Sequence, residues 1–231
     1  MNPDRIAENL ANVRSRIAEA ARRSGVDASG VRLVAVTKRN AAGPIRELVK
    51  LGQVDLGENY PQELWAKAEE LADLGICWHL IGHLQGNKIK KTVPMVRMIH
   101  GVDSLKLLRA LDDLAGTLDD PPSVCLQVNA SGEESKHGWS LDGLLKDAES
   151  IGACRKIPIV GLMTIAGYGT SNEEARPTFV RLRELRDRLQ VATGLPLPEL
   201  SMGMSGDYEA AVEEGATLVR VGSALFEGAT L

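Results

Sequence analysis

Lys38 stands directly behind the apolar run Val31-Arg32-Leu33-Val34-Ala35-Val36 and Thr37. It reads either as a solvated charge at a strand end or as an amine drawn into a partly desolvated mouth. In the second setting burial lowers the pKa, Arg39 pushes the same way by repulsion, and the free amine condenses with an aldehyde. Ser205-Gly206-Asp207 opens a short helical stretch, and Gly222-Ser223 follows another apolar run. Unpaired N–H groups and partial positive charge at helix starts hold phosphate, and small residues let the backbone come close to it. Ordinary turn and capping chemistry uses the same residues. Arg220 lies between Val219 and Val221, and a buried Arg is rare unless paired. Its guanidinium either donates to a ring nitrogen or anionic ligand, or pairs with an interior carboxylate such as Glu58. Lysine, phosphate cradle and interior arginine together fit a phosphorylated aldehyde with a ring nitrogen.

These groups need elements that bring them to one place. Helical spacing of Ile6, Leu10, Val13 and Ile17 predicts a leading helix over 2–24, stopped by Gly25. Short apolar runs then predict strands at 31–36, 54–56, 76–82, 98–102, 124–128, 159–163, 200–203 and 218–221. Helical stretches between them are expected at 41–51, 61–74, 87–93, 104–114, 141–150, 173–191 and 207–214, with a further short helix after the last strand. Strands of near-continuous apolar character are those of a parallel sheet covered on both faces. Eight units of about 25 residues suit a compact α/β fold, the (β/α)8 or TIM barrel, as one domain over residues 1–231. A doubly wound sheet is the alternative, but no G-x-G-x-x-G follows the first strand. In such a barrel the functional groups sit at the C-terminal strand ends. That rule selects Lys38, Glu58, Asn59, Gly82, His83, Asp103, Asn129, Thr164, Met204, Ser205, Gly222 and Ser223.

Composition narrows the partners. The 231 residues carry 27 Lys+Arg against 31 Asp+Glu, a net charge of −4, and only 3% aromatics. Neither a general pull toward nucleic acid or membrane nor a base-stacking platform is expected. No apolar run approaches the roughly 20 residues of a membrane helix, and the amphipathic N-terminus lacks the apolar centre of a signal peptide. Cys77, Cys125 and Cys154 suggest no disulfide framework or zinc knuckle, so a reducing, cytoplasmic setting is expected. His79 and His83 share a face if 76–83 is one strand, without a third metal ligand nearby. Lys88, Lys90 and Lys91 read as a solvated face, and the arginines of 173–191 as one side of helix-surface ion pairs.

The combination resembles a site for pyridoxal 5′-phosphate (PLP), and the sequence resembles the pyridoxal phosphate homeostasis family. That family is a single-barrel branch of the alanine racemase-like fold, type III among PLP folds, without the C-terminal β domain. The resemblance is carried by Leu33–Lys38, Gly57-Glu58-Asn59-Tyr60 with Gln62-Glu63, and Trp78–Gly82 with Leu84-Gln85 and Asn87-Lys88. It continues through Ser135-Lys136 and Gly138, Gly161-Leu162-Met163, Leu200–Ser205, Gly215-Ala216-Thr217 and Val219–Gly222. It implies Lys38 as the Schiff-base lysine, Asn59, Met204, Ser205, Arg220, Gly222 and Ser223 around the cofactor, and Arg220 at the pyridine nitrogen. No catalytic residue is assigned. It further implies a carrier acting in PLP homeostasis rather than an enzyme, PLP-dependent apoenzymes as recipients, and a monomer or weak dimer. The competing readings are a PLP-dependent amino-acid racemase, which needs a second acid/base group that Tyr60, Tyr168 and Tyr208 do not clearly supply, and a phosphate-binding barrel without PLP.

Overall fold

The computed structural model describes residues 2–133, 137–167 and 169–229. Ser135 and Lys136 of the family pattern, and Tyr168, lie outside the described residues. The leading helix α1 (Pro3–Ser24) forms because Asn2 accepts from Arg5 N–H at its start and Gly25, at φ 71°, closes its end. Its apolar face, Ile6, Leu10, Val13, Ile17, Ala20 and Ala21, is buried.

The strands are β1 (Arg32–Val36), β2 (Asp55–Glu58), β3 (Cys77–Leu80), β4 (Met98–Val102), β5 (Ser123–Gln127), β6 (Ile159–Met163), β7 (Glu199–Ser201) and β8 (Leu218–Val221). All are parallel and close into a barrel in sequence order, β8 pairing back to β1 with Val34 opposite Arg220 and Ala35 opposite Val221. The connecting helices are α2 (Ala42–Lys50), α3 (Pro61–Glu70), α4 (Ile89–Thr92), α5 (Leu105–Ala115), α6 (Leu141–Lys146), α7 (Ala148–Ala153), α8 (Asn172–Thr193) and α9 (Tyr208–Glu213), with α10 (Ser223–Phe226) after β8. Helix α1 packs on α2, α9 and α10 and so covers the seam where β8 meets β1.

Strand alternation sorts the core into two layers. Val34, Val36, Ile81, Met98, Cys125, Met163 and Leu218 fill the barrel, whereas Leu33, Ala35, Leu56, Leu80, Ile99, Leu126, Leu162, Val219 and Val221 meet the helices. The expected helix over 141–150 divides at Asp147, whose carboxylate accepts Trp139 Nε1–H at 2.9 Å. Strand β3 ends at Leu80, so His79 and His83 part: His79 is buried and His83 lies exposed, 2.8 Å from Asp103. The arginines of α8 pair mainly across to α9, Arg176 with Glu213 and Glu214 and Arg183 with Glu214. Lys91 is not simply solvated, since its ammonium sits 4.3 Å from the Trp65 ring centroid.

Candidate functional site

The rim at the C-terminal ends of β7, β8 and β1 collects the groups that the sequence singled out. After β7 the chain must turn sharply. Gly203 sits at φ 93°, and a Cβ there would lie 2.6 Å from the Ala211 Cβ, so only glycine fits. The turn is tied by the buried Asp207 carboxylate, which accepts Met204 N–H at 2.5 Å, while Asp207 and Tyr208 N–H return to the Met204 carbonyl. Burial raises the Asp207 pKa, and the Met204 N–H and the Arg220 charge oppose that rise.

This turn presents Ser205 to the next loop. Ser205 Oγ accepts from Gly222 N–H at 3.2 Å and from Ala224 N–H at 3.4 Å, where α10 begins. Two backbone donors from the start of a helical turn thus converge on one oxygen, the arrangement that an anion's oxygen suits. A Cβ at Gly222 would meet Val36 Cβ and O at 3.2 Å, so a small residue lets this loop lie against the end of β1. Ser223 is exposed beside it.

Lys38 follows the inward positions 34 and 36 of that same strand. It occupies a turn closed by Asn40 N–H to the Thr37 carbonyl at 3.0 Å, with Arg39 at φ 66°. Of the two settings open to Lys38, the structure shows the exposed one. What precedes it is rigid. Lys67 Nζ donates to the Thr37 carbonyl at 2.9 Å and to Glu58 Oε1 at 2.7 Å, and Thr37 Oγ1 donates to the same Oε1 at 2.6 Å. Glu58 is fully buried, its Oε2 has no partner among the described residues, and burial raises its pKa against the Lys67 and Thr37 hydrogen bonds. Asn59, half-buried, follows at the end of β2. The β3 end approaches it so closely that a Cβ at Gly82 would stand 2.0 Å from the Asn59 carbonyl oxygen.

Arg220 is 4% exposed and bonded twice, Nη1 to Ser201 Oγ at 2.6 Å and Nη2 to the Thr164 carbonyl at 2.9 Å. It does not pair with Glu58, which faces outward to α3 and is occupied by Lys67. Burial lowers its pKa to about 10, with Asp207 acting against the drop, so the guanidinium stays charged at neutral pH. Two bonds engage only part of its five-donor fork. Thr164 was among the rim positions expected from sequence. Ser201 was not, although a polar residue at an inward strand position is the signal that marks it.

A family model for the N-terminal domain of alanine racemase matches residues 2–229. The pyridoxal phosphate homeostasis protein of Pseudomonas aeruginosa is 44% identical over 221 residues, 96% of this chain and 94% of its own. The chain belongs to the pyridoxal phosphate homeostasis protein family. The human family member is 39% identical over 231 residues, 94% of this chain and 84% of its own. Among solved structures, PipY of Synechococcus elongatus PCC7942 with PLP bound superposes with a TM-score of 0.84 at 40% identity, covering 96% of this chain and 99% of PipY. Alanine racemase from Corynebacterium glutamicum shares the fold, at a TM-score of 0.72 and 15% identity, and this chain spans 61% of it. The loops after β7 and β8, the turn after β1 and the buried Arg220 thus lie in a fold whose family is named for the cofactor that their chemistry suits.

Proposed function

We propose that the whole chain, residues 1–231, is one PLP-binding unit acting in cytoplasmic PLP homeostasis, with indirect effects on amino-acid and keto-acid metabolism. The observation that carries this reading is that converging N–H groups at Ser205 and a buried guanidinium at Arg220 lie at the end of the barrel where β8 pairs with β1, the strand that leads into Lys38. The residues fit the group. Ser205, Gly222 and Ser223, with the Ala224 N–H, hold the phosphate. Asn59 and Met204 would line the cofactor's site, and Lys38 Nζ would be the amine that holds it covalently. When bound, PLP supplies an aldehyde carbon and an electron-withdrawing pyridine ring.

The protein's own contribution runs against catalysis. A permanent cation at the pyridine nitrogen disfavours its protonation, which leaves the ring a weak electron sink. Tyr60 is 58% exposed and Tyr208 is buried at 1%, Tyr168 lies outside the described residues, and none of them is assigned as the second acid/base group of a racemase. We infer a carrier that hands PLP to apoenzymes, as a monomer or weak dimer. No helix among the described residues is long and apolar enough to cross a membrane. Titration of the apoprotein with PLP tests the reading. Visible absorbance should appear in the wild type and not in Lys38→Ala, with no racemisation of alanine at enzymatic rates. Absence of the band in the wild type, or robust turnover, overturns it.

A further inference from the structure

Behind Arg220 the barrel interior holds a chain of polar side chains whose inner members, His100, His79 and Asp55, none of the roles above uses. Arg220 Nη1 donates to Ser201 Oγ at 2.6 Å, and Ser201 Oγ lies 2.6 Å from His100 Nδ1. His100 Nε2 lies 2.9 Å from His79 Nδ1, and His79 Nε2 lies 3.0 Å from Asp55 Oδ1. His79, His100 and Ser201 are fully buried. Asp55, at the start of β2, keeps 29% of its side chain exposed. The chain therefore crosses the interior from the end of the barrel opposite the rim to the one buried cation of the proposed site.

The chemistry of the groups sets its direction. A guanidinium has no acceptor, so the first bond donates to Ser201. The hydroxyl proton then has His100 Nδ1 as its acceptor. That places the His100 proton on Nε2, where it donates to His79 Nδ1, and the His79 proton on Nε2, where it donates to the carboxylate. Burial holds the His100 pKa well below the usual imidazole range, and the charges of Arg220 and Arg32 act in the same direction. The hydrogen bond from His79 holds the Asp55 carboxyl below its ordinary value, so that end remains acceptor-only. A reversed chain would strand the Ser201 proton in the dry interior and put a second proton on His79. Co-directional bonds in such a setting reinforce one another.

We propose that Asp55, His79, His100 and Ser201 are positioning residues that hold the Arg220 guanidinium in one orientation at the pyridine nitrogen, with the Asp55 carboxylate setting the direction of every bond between. The last step rests on the PLP reading, whereas the direction of the chain belongs to the apoprotein and is testable alone.

The experiment has two readouts. Nitrogen-15 NMR of imidazole-labelled apoprotein reports the tautomers of His79 and His100, and PLP labelled at its ring nitrogen then reports that atom's protonation in the complex. Both histidines are expected as the Nε2–H form in the wild type. Asp55→Asn, whose amide donates as well as accepts, removes the need for a second proton on His79 and leaves only the Ser201 proton to oppose reversal, so an Nδ1–H fraction of His100 should appear beside the Nε2–H form. Ser201→Ala should weaken PLP binding about tenfold, the loss of one hydrogen bond to a charged group, and should move the ring nitrogen toward its protonated resonance. Ser201→Thr should restore both. An Nδ1–H His100 in the wild type, unchanged tautomers in Asp55→Asn, or an unaltered affinity and ring-nitrogen resonance in Ser201→Ala overturns the proposal. Failure of the wild type to bind PLP overturns the functional reading and the last step with it, while the apoprotein tautomers judge the chain separately.

Discussion

Lys67→Met isolates the clamp behind the proposed cofactor lysine. Lys67 is 13% exposed and Glu58 is fully buried, so the methionine keeps the length of the side chain and deletes the charge. Two acceptors then lose a donor, Glu58 Oε1 and the Thr37 carbonyl. Removing one partner of a buried ion pair costs about 3–5 kcal/mol, because the remaining charge has no compensation. In urea that is a fall in midpoint of about 1 M or more. The pH dependence carries a sign. The Glu58 pKa is already raised by burial, and without Lys67 it rises further. The native state then binds more protons than the unfolded chain between the unfolded carboxylate pKa and the raised one, so stability falls as pH climbs through that window. The variant should recover stability on acidification from pH 8 toward pH 5, and Lys67→Met/Glu58→Gln should remove most of the pH dependence. Covalent loading of PLP should drop with it, since the Thr37 carbonyl directly precedes Lys38. Urea unfolding followed by tryptophan fluorescence at both pH values is the assay. A midpoint within experimental error of the wild type at pH 8, or no gain on acidification, would refute the role assigned to Lys67.

Gly203→Ala combines a φ of 93° with a Cβ 2.6 Å from Ala211 Cβ and should cost roughly 1–3 kcal/mol in thermal unfolding; an unchanged melting temperature would mean that the turn relaxes freely. Ser205→Ala removes the oxygen on which the Gly222 and Ala224 N–H groups converge. It should lower the affinity for PLP by about tenfold while leaving that for unphosphorylated pyridoxal unchanged, as equilibrium dialysis of both would show. His100 has a depressed folded pKa, so its contribution is complete above the usual imidazole value and is lost as pH falls below it. The slope reaches at most about 1.4 kcal/mol per pH unit. His100→Asn should flatten that slope between pH 6.5 and pH 5 in urea titrations, and a slope equal to the wild type's would place the titration elsewhere.

The barrel was legible because each strand is a short apolar run between turn signals, and because the caps are written in residues such as Asn2, Gly25 and Ser104. Strand ends were less so. Run 76–82 continues to Gly82 in composition, yet pairing stops at Leu80, since the bonds a strand makes depend on its neighbours' lengths rather than on its own hydropathy. Among the candidate residues, the placing of Ser205 and Gly222 behind β7 and β8 and of Arg220 inside β8 was readable from residue type and position. The partner of Arg220 was not. Glu58 is nearer in expectation because both look interior by sequence, but alternation puts residue 58 on the outer face of β2, and Ser201 with the Thr164 carbonyl takes its place. Sequence left Lys38 open between a solvated and a covered setting, because whether a strand-end side chain is covered depends on the loops around it; the structure shows it exposed. The sequence paired His79 with His83 and gave the two no role, and His100 drew no reading at all. The role of His79 depends on His100 and Ser201 on β4 and β7, which only the closed sheet brings together.

The most direct test is chemical. The protein loaded with PLP, reduced with borohydride and digested, is analysed by mass spectrometry. The reduced cofactor is expected on the peptide that contains Lys38, in near-stoichiometric amount, and on no other lysine. A cofactor mass on a different lysine, or none on any peptide, would contradict the assignment of Lys38 as the residue that holds PLP.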